Sequence, residues 1–194
     1  MSRRRVIQVV VGIVCLALLA WGVMVGLEYL VTPRVANPTA RADGTGEGVA
    51  HITATLYYAD ADGTALVPVQ REVPLAEGTV PQGRAILAAQ FQAAPEGYTS
   101  VIPRGTTLRA FYVTERRDAF VDLSRDAGAN HPGGSFSELL TVYAIVNAVT
   151  TNLPAVERVQ ILIDGKEADT LAGHVDLRRP LRRDLSLVRD EASP

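Results

Sequence analysis

The longest unbroken apolar stretch, Val6 to Leu27, admits one strongly polar residue, Gln8, and no charge. A helix of that length reaches about 33 Å at ~1.5 Å per residue, enough to cross a hydrocarbon core of roughly 30 Å. Arg3, Arg4 and Arg5 precede it and only Glu28 and Arg34 follow. This asymmetry predicts residues 1–5 in the cytoplasm, a membrane-spanning anchor over 6–31 and the rest outside the plasma membrane. A cleavable signal peptide has an apolar core of only ~7–15 residues followed closely by a small-residue site. Here the nearest such site, Ala40-Arg41-Ala42, lies well past the run, so the sequence favours an uncleaved single-pass anchor. From 32 to 49 the apolar period vanishes and Pro, Ala, Gly and Thr take over, the composition of a linker.

From Ala50 the pattern is that of a folded domain, expected over 50–188 with a short tail over 189–194. His51–Ala59 is rich in β-formers, and Val67, Val69 and Val73 alternate with polar neighbours after the turn at Asp60 to Gly63, which predicts two strands. Thr79 is expected to cap a predicted helix with Pro81 in its first turn, running to about Ala93, with Val80, Leu87 and Phe91 on one face. Thr107–Thr114 and Ala119–Ser124 read as a hairpin, Leu108, Ala110 and Tyr112 facing one way and Arg109, Phe111 and Val113 the other. A second helix is expected from a capping box, Ser135 with Glu138, to about Asn152. Phe136, Leu139, Leu140, Tyr143 and Val146 form its apolar arc; Asn147 and Thr150 fall inside the arc, and Ser137, Glu138 and Thr141 face away. Arg158–Ile163 reads as a strand, and Asp164-Gly165 turns it into a short return strand toward Leu171. The order β-β-α-β-β-α-β-β predicts an α+β, two-layer sandwich, with two helices on a mainly antiparallel sheet and an α-β-β-α-β unit inside it.

Charge narrows the partners. Setting aside Arg3, Arg4, Arg5, Arg34 and Glu28 from the 19 basic and 21 acidic residues leaves 15 and 20 outside the membrane, a net −5. That balance excludes a nucleic-acid footprint. The single cysteine, Cys15, lies within the apolar run, so there is neither an internal disulfide nor a cysteine-based metal cluster.

No catalytic constellation emerges. His51, His131 and His174 stand at a strand edge, in a Gly/Pro loop and beside a glycine, without metal-ligand spacing. Ser124 with Asp122 reads as strand alternation closed by a cap-like serine. No metal or cofactor is expected. An amide on a core-facing arc must find hydrogen bonds, so Asn147 is read as tying its helix to a nearby backbone segment, with a ligand contact as the alternative. Arg178, Arg179, Arg182 and Arg183 form a basic cluster on an acidic domain, either a solvated face or the docking surface for an acidic partner.

Several motifs now stand in order: Ile102-Pro103-Arg104-Gly105-Thr106; Val121-Asp122-Leu123-Ser124; Ala144-Ile145-Val146-Asn147; Val159 to Lys166 with Asp164-Gly165; and Leu171 to Leu177 with Gly173 and Asp176. Together they resemble the GerMN domain of sporulation and spore germination proteins, over about Ile52 to Leu187. The resemblance implies a non-catalytic extracytoplasmic domain related to the ring-building motifs of secretion and sporulation assemblies. It marks Pro103, Gly105, Asp122, Ser124, Asn147, Gly165, Gly173 and Asp176 as structural motif positions. The partners it implies are the membrane and other envelope proteins, a second copy of the chain among them.

Three readings follow. The first is a scaffold or interaction module of an envelope assembly. The second is a sensor for a cell-wall glycan or peptidoglycan fragment, binding through Tyr57, Tyr58 and Tyr98. The third is a hydrolase, which requires a deep pocket holding His131 or His174 beside a carboxylate.

Overall fold

The structure, a computed structural model, describes residues 50–189. The predicted anchor over 6–31 and linker over 32–49 lie outside the described residues. Among the described residues no helix is long and apolar enough to cross a membrane.

The elements are β1 (His51–Ala59), β2 (Leu66–Pro74), α1 (Thr79–Gln90), β3 (Leu108–Val113), β4 (Asp118–Leu123), α2 (Asp126–Ala129), α3 (Ser135–Asn152), β5 (Arg158–Ile163), β6 (Lys166–Glu167) and β7 (Leu181–Arg182). The α+β class is as expected, but the strands form two sheets rather than one. β1 and β2 make an antiparallel ribbon, and a second, five-stranded sheet runs β3-β4-β5-β6 with β7 also on β5. At the centre of this second sheet β4 and β5 are parallel, from Asp118 opposite Arg158 to Leu123 opposite Ile163. The expectation of a mainly antiparallel sheet holds for the remaining pairs and fails at this one. A parallel pair needs a long crossover, and the segment carrying α2 and α3 supplies it.

α3 touches β1 of one sheet and β5 of the other, as well as α1 and β7. This position explains why its predicted faces hold only in part: Leu140, Val146, Asn147 and Thr150 are buried as the arc requires, but the opposite side is not left to solvent. Ala144 to Thr150 are buried without interruption, and Glu138 and Thr141, placed on the solvent side by periodicity, are buried too, whereas Phe136 is 43% exposed. A helix enclosed on most sides has no polar face to read. The capping box is absent as well. Gly134 is the N-cap without a side-chain hydrogen bond, and the Glu138 carboxylate is used elsewhere. Likewise Gly78, not Thr79, caps α1, and that helix stops at Gln90.

Alternation serves better in the ribbon, where Ala54, Leu56 and Tyr58 are fully buried on one face. It breaks in β3. The register steps from Leu108 opposite Leu123 to Ala110 opposite Asp122, a bulge that skips Arg109 and leaves Ala110 and Phe111 both buried with Tyr112 exposed. Phe111 then sits against α1 at Gly83, where even a methyl group would come within 2.3 Å of the ring. Each such fully buried large apolar side chain contributes roughly 1.5–3 kcal/mol.

Carboxamides join the parts. Asn152 at the end of α3 accepts the Thr55 N–H (2.8 Å) and donates to the Thr55 carbonyl (2.7 Å). Gln90 at the end of α1 does the same for Tyr57 (2.9 and 2.7 Å). Two residues further, Ala59 exchanges backbone bonds with Thr99. The side of β1 away from β2 is thus closed at 55, 57 and 59, twice by side chains standing in for a strand. Gln82 clasps Pro74 and Ala76 in the same way.

Candidate functional site

The basic cluster predicted near the end of the domain is divided by the fold. Arg182 and Arg183 line an open trough of about 500 Å³, together with Arg117, Thr150, Thr151, Pro154, Val156 and Glu157. Arg178 and Arg179 border a separate concavity with Asp176. Within that pair Arg178 is already spent. Its Nε and Nη2 bind the two oxygens of Asp176 at 2.9 and 2.8 Å, and these bonds hold the Asp176 carboxyl well below the ordinary carboxylate range.

The trough is built from three distant parts of the chain. Arg117 ends the β3–β4 hairpin turn in a left-handed conformation (φ 65°), unusual for a residue with a side chain. Its backbone carbonyl accepts the Glu157 N–H at 2.8 Å. Its guanidinium reaches the Pro154 carbonyl (2.6 Å), the Ala155 carbonyl (3.4 Å) and Glu157 Oε1 (2.5 Å). Arg117 therefore holds the loop between α3 and β5 in place. Arg182, on β7, faces Glu157 Oε2 at 3.9 Å. The hydroxyls at the end of α3 are occupied: Thr150 donates to the Val146 carbonyl, and Thr151 shares a hydrogen bond with Tyr57. The polar groups of the trough left without a close partner are thus the guanidiniums of Arg182 and Arg183. Sequence reasoning found Arg182 and Arg183 through their spacing but missed Arg117 and Glu157; the only local signal was the charged turn Glu115-Arg116-Arg117-Asp118.

The motif positions have architectural tasks. Asn147 donates to the Asp184 carbonyl (2.7 Å) and accepts the Asp184 N–H (3.1 Å), fastening α3 to the segment after β7. Asp122, buried on β4, accepts the Gly165 N–H at 2.7 Å and faces Arg109 at 3.3 Å. Asp164 and Gly165 both have positive φ, 50° and 77°, in a two-residue turn between β5 and β6. The return strand stops at Glu167, short of the expected Leu171. Ser124 accepts the Thr107 N–H and reaches Asp126 at 3.2 Å. Pro103 is buried, and Gly105, with φ 83°, sits against Asn130 and Asp126. Gly173 (φ 103°) lies in the loop that Glu138 organises.

That loop contains the buried carboxylate. Glu138 Oε1 accepts the N–H groups of Leu171 and Ala172, both at 2.9 Å, and Oε2 accepts the His174 N–H (2.8 Å) and meets His174 Nδ1 (3.1 Å). Burial pushes the Glu138 carboxyl upward, but the backbone donors of Ala172, Val175 and His174 and the imidazole outweigh it, so its pKa lies below the usual value. His131 Nδ1 accepts the Gly133 N–H (3.0 Å), leaving the proton on Nε2, 3.1 Å from Thr141 Oγ1; Thr141 in turn donates to the Val101 carbonyl (2.7 Å). Burial lowers the His131 pKa. His131 and His174 each have structural partners, His51 is exposed at the start of β1, and among the described residues no group of three or more His, Cys, Asp and Glu side chains could hold a metal ion.

Of the three rings expected to form a platform for a glycan, Tyr98 is half-buried and the other two are enclosed. Tyr57 is 3% and Tyr58 0% exposed, with Tyr57 bound to Thr151 and Tyr58 receiving Arg71 at 3.3 Å. A ring enclosed in the core cannot stack on a sugar.

The family model described as "Germane: Sporulation and spore germination" matches residues 55–169. No match was found among curated proteins. Among solved structures, the first GerMN domain of the sporulation protein GerM from Bacillus subtilis is similar at 19% identity, covering 68% of this chain and 98% of that one, with a TM-score of 0.55. The tandem GerMN domains of the same protein give 19% identity and a TM-score of 0.52, covering 71% of this chain and 46% of that one. A putative lipoprotein from Clostridium perfringens gives 21% identity and a TM-score of 0.51, covering 74% and 95%.

Proposed function

Because the chain belongs to the Germane family of sporulation and spore germination proteins, with a GerMN-like domain, we propose that it is a non-catalytic interaction module of a bacterial envelope assembly. Residues 6–31 tether it to the plasma membrane, and the domain docks an acidic segment of a partner protein outside.

The observation that carries this reading is the arginine trough. Arg182 has one long contact, Arg183 makes no ion pair among the described residues, and both face open solvent on a domain that is otherwise net acidic. Opposite charge across such a surface steers encounter and selects the partner. The non-catalytic part draws support from the side chains a hydrolase would need. Glu138, His131, His174, Ser124 and Asp122 are all engaged in holding loops and turns.

The test is site-specific photocrosslinking from position 183 in intact membranes, followed by mass spectrometry. A single envelope protein should be captured, with the crosslink mapping beside its acidic residues, and Arg182→Glu should abolish the adduct. Recovery of the protein only as an isolated monomer, with a normal envelope after deletion, would overturn the reading.

A further inference from the structure

The arginine trough already contains a carboxylate. Glu157 Oε1 is held by Arg117 at 2.5 Å, whereas Oε2 faces Arg182 at 3.9 Å, the outer limit of an ion pair. Charge-assisted bonds between guanidinium and carboxylate close to about 2.7–2.9 Å when both groups are free to meet. Arg182 is therefore underused, and the neighbouring Arg183 stands without an anion among the described residues. Arg117 is fully engaged by Glu157 and two carbonyls, so the trough keeps its shape whatever Arg182 does.

Resting on the docking reading above, we propose that Glu157 is an internal competitor for the partner's carboxylate. An incoming Asp or Glu side chain takes Arg182 and Arg183 together at short range, and Glu157 falls back on Arg117. The negative charge of Glu157 sets the affinity: it repels the guest and holds part of the Arg182 charge, so docking is weak and reversible. The occupant is a short acidic stretch of protein rather than an extended polyanion. Only two cations are available, the carboxylate already present shows the shape that fits, and the acidic remainder of the domain repels a long anionic polymer.

The experiment follows fluorescence anisotropy of a fluorescein-labelled hexaglutamate peptide with the full-length chain in neutral detergent at low ionic strength. The wild-type protein should bind weakly, Arg183→Gln should lose binding, and Glu157→Gln should bind about threefold more tightly, the scale of one exposed charge pair. In the Arg182→Gln background, Glu157→Gln should give a smaller gain. Should Glu157→Gln unfold, as its melting curve would show, Glu157→Asp tests the hold on Arg182 alone and should give a smaller gain, because the shorter side chain withdraws from Arg182 while its charge remains. Binding by wild type that is lost in Arg183→Gln but unchanged or weakened in both Glu157 variants would overturn the competitor and leave docking intact. Failure of the wild type and both Glu157 variants to bind would overturn docking itself. Inorganic polyphosphate bound more tightly than hexaglutamate, with the same dependence on Arg183, would replace the acidic protein with a polyanion and also overturn the proposal.

Discussion

Gln90 and Tyr57 exchange two hydrogen bonds, the Tyr57 N–H to Oε1 at 2.9 Å and Nε2 to the Tyr57 carbonyl at 2.7 Å, with both residues buried. One side chain thus replaces a neighbouring strand. Truncation of Gln90 to Ala strands a donor and an acceptor away from water, and each buried orphan costs about 1–3 kcal/mol. We expect Gln90→Ala to lower the unfolding free energy by roughly 2–4 kcal/mol in urea titrations. Asn152→Ala, at a partly buried site, should cost less. Equal and negligible losses would show that the strand edge needs no such closure.

Glu138 gives the fold an acid sensitivity. Its pKa is lowered in the folded protein, so the native state favours the carboxylate and the unfolded state binds the proton more readily. Its contribution is complete above the unfolded value of about 4.5 and is lost as pH falls through the lower folded value. Glu138→Gln should be less stable than wild type at neutral pH and show a flatter decline below about pH 4.5. Parallel curves for the two proteins would rule this out.

His131 acts at milder pH. Its pKa is also lowered, so the folded state favours the neutral ring whose Nδ1 receives the Gly133 N–H. Stability is therefore full above the unfolded value, near 6.5, and declines as pH falls below it. His131→Asn supplies an acceptor oxygen near the same N–H without a titrating ring. Thermal melts at pH 7.5 and 5.5 should differ less for this variant than for wild type; an equal difference would assign the effect to another group.

Gly83 tests the contact between α1 and β3. Alanine is the better helix former by about 1 kcal/mol, so propensity predicts that Gly83→Ala stabilises. A Cβ there would stand 2.3 Å and 2.6 Å from Phe111 ring atoms, and overpacking of this kind costs about 1–3 kcal/mol. We expect net destabilisation, partly restored by adding Phe111→Leu. A more stable single variant would show that the ring can move aside.

The chain discloses its local features well. Asp164-Gly165 marks its turn because few residues accept positive φ, and His51–Ala59 reads as a strand from its composition. What fails to show is whatever depends on distant neighbours. Glu138 looks exposed because the period of α3 cannot reveal a loop more than 30 residues away closing over it. The bulge in β3 has no mark in Leu108 to Ala110. The parallel pairing of β4 with β5 is set by which strand the crossover returns to. At the trough, spacing exposes Arg182 and Arg183, while Arg117 and Glu157 belong to it only through tertiary folding.

The segment after β7 fastens the domain at three places: Asp184 to Asn147, Leu187 and Arg189 to Leu66, and Arg189 to Asp60 at 2.9 Å. Two of these are on the β1–β2 ribbon, the part of the domain made first. During synthesis that ribbon must wait, its far edge unclosed, until more than a hundred further residues have been added and Arg189 has emerged. A nascent chain that ends before residue 184 lacks all three fastenings, leaving the Asn147 amide and the Leu66 backbone without the partners they have in the finished domain.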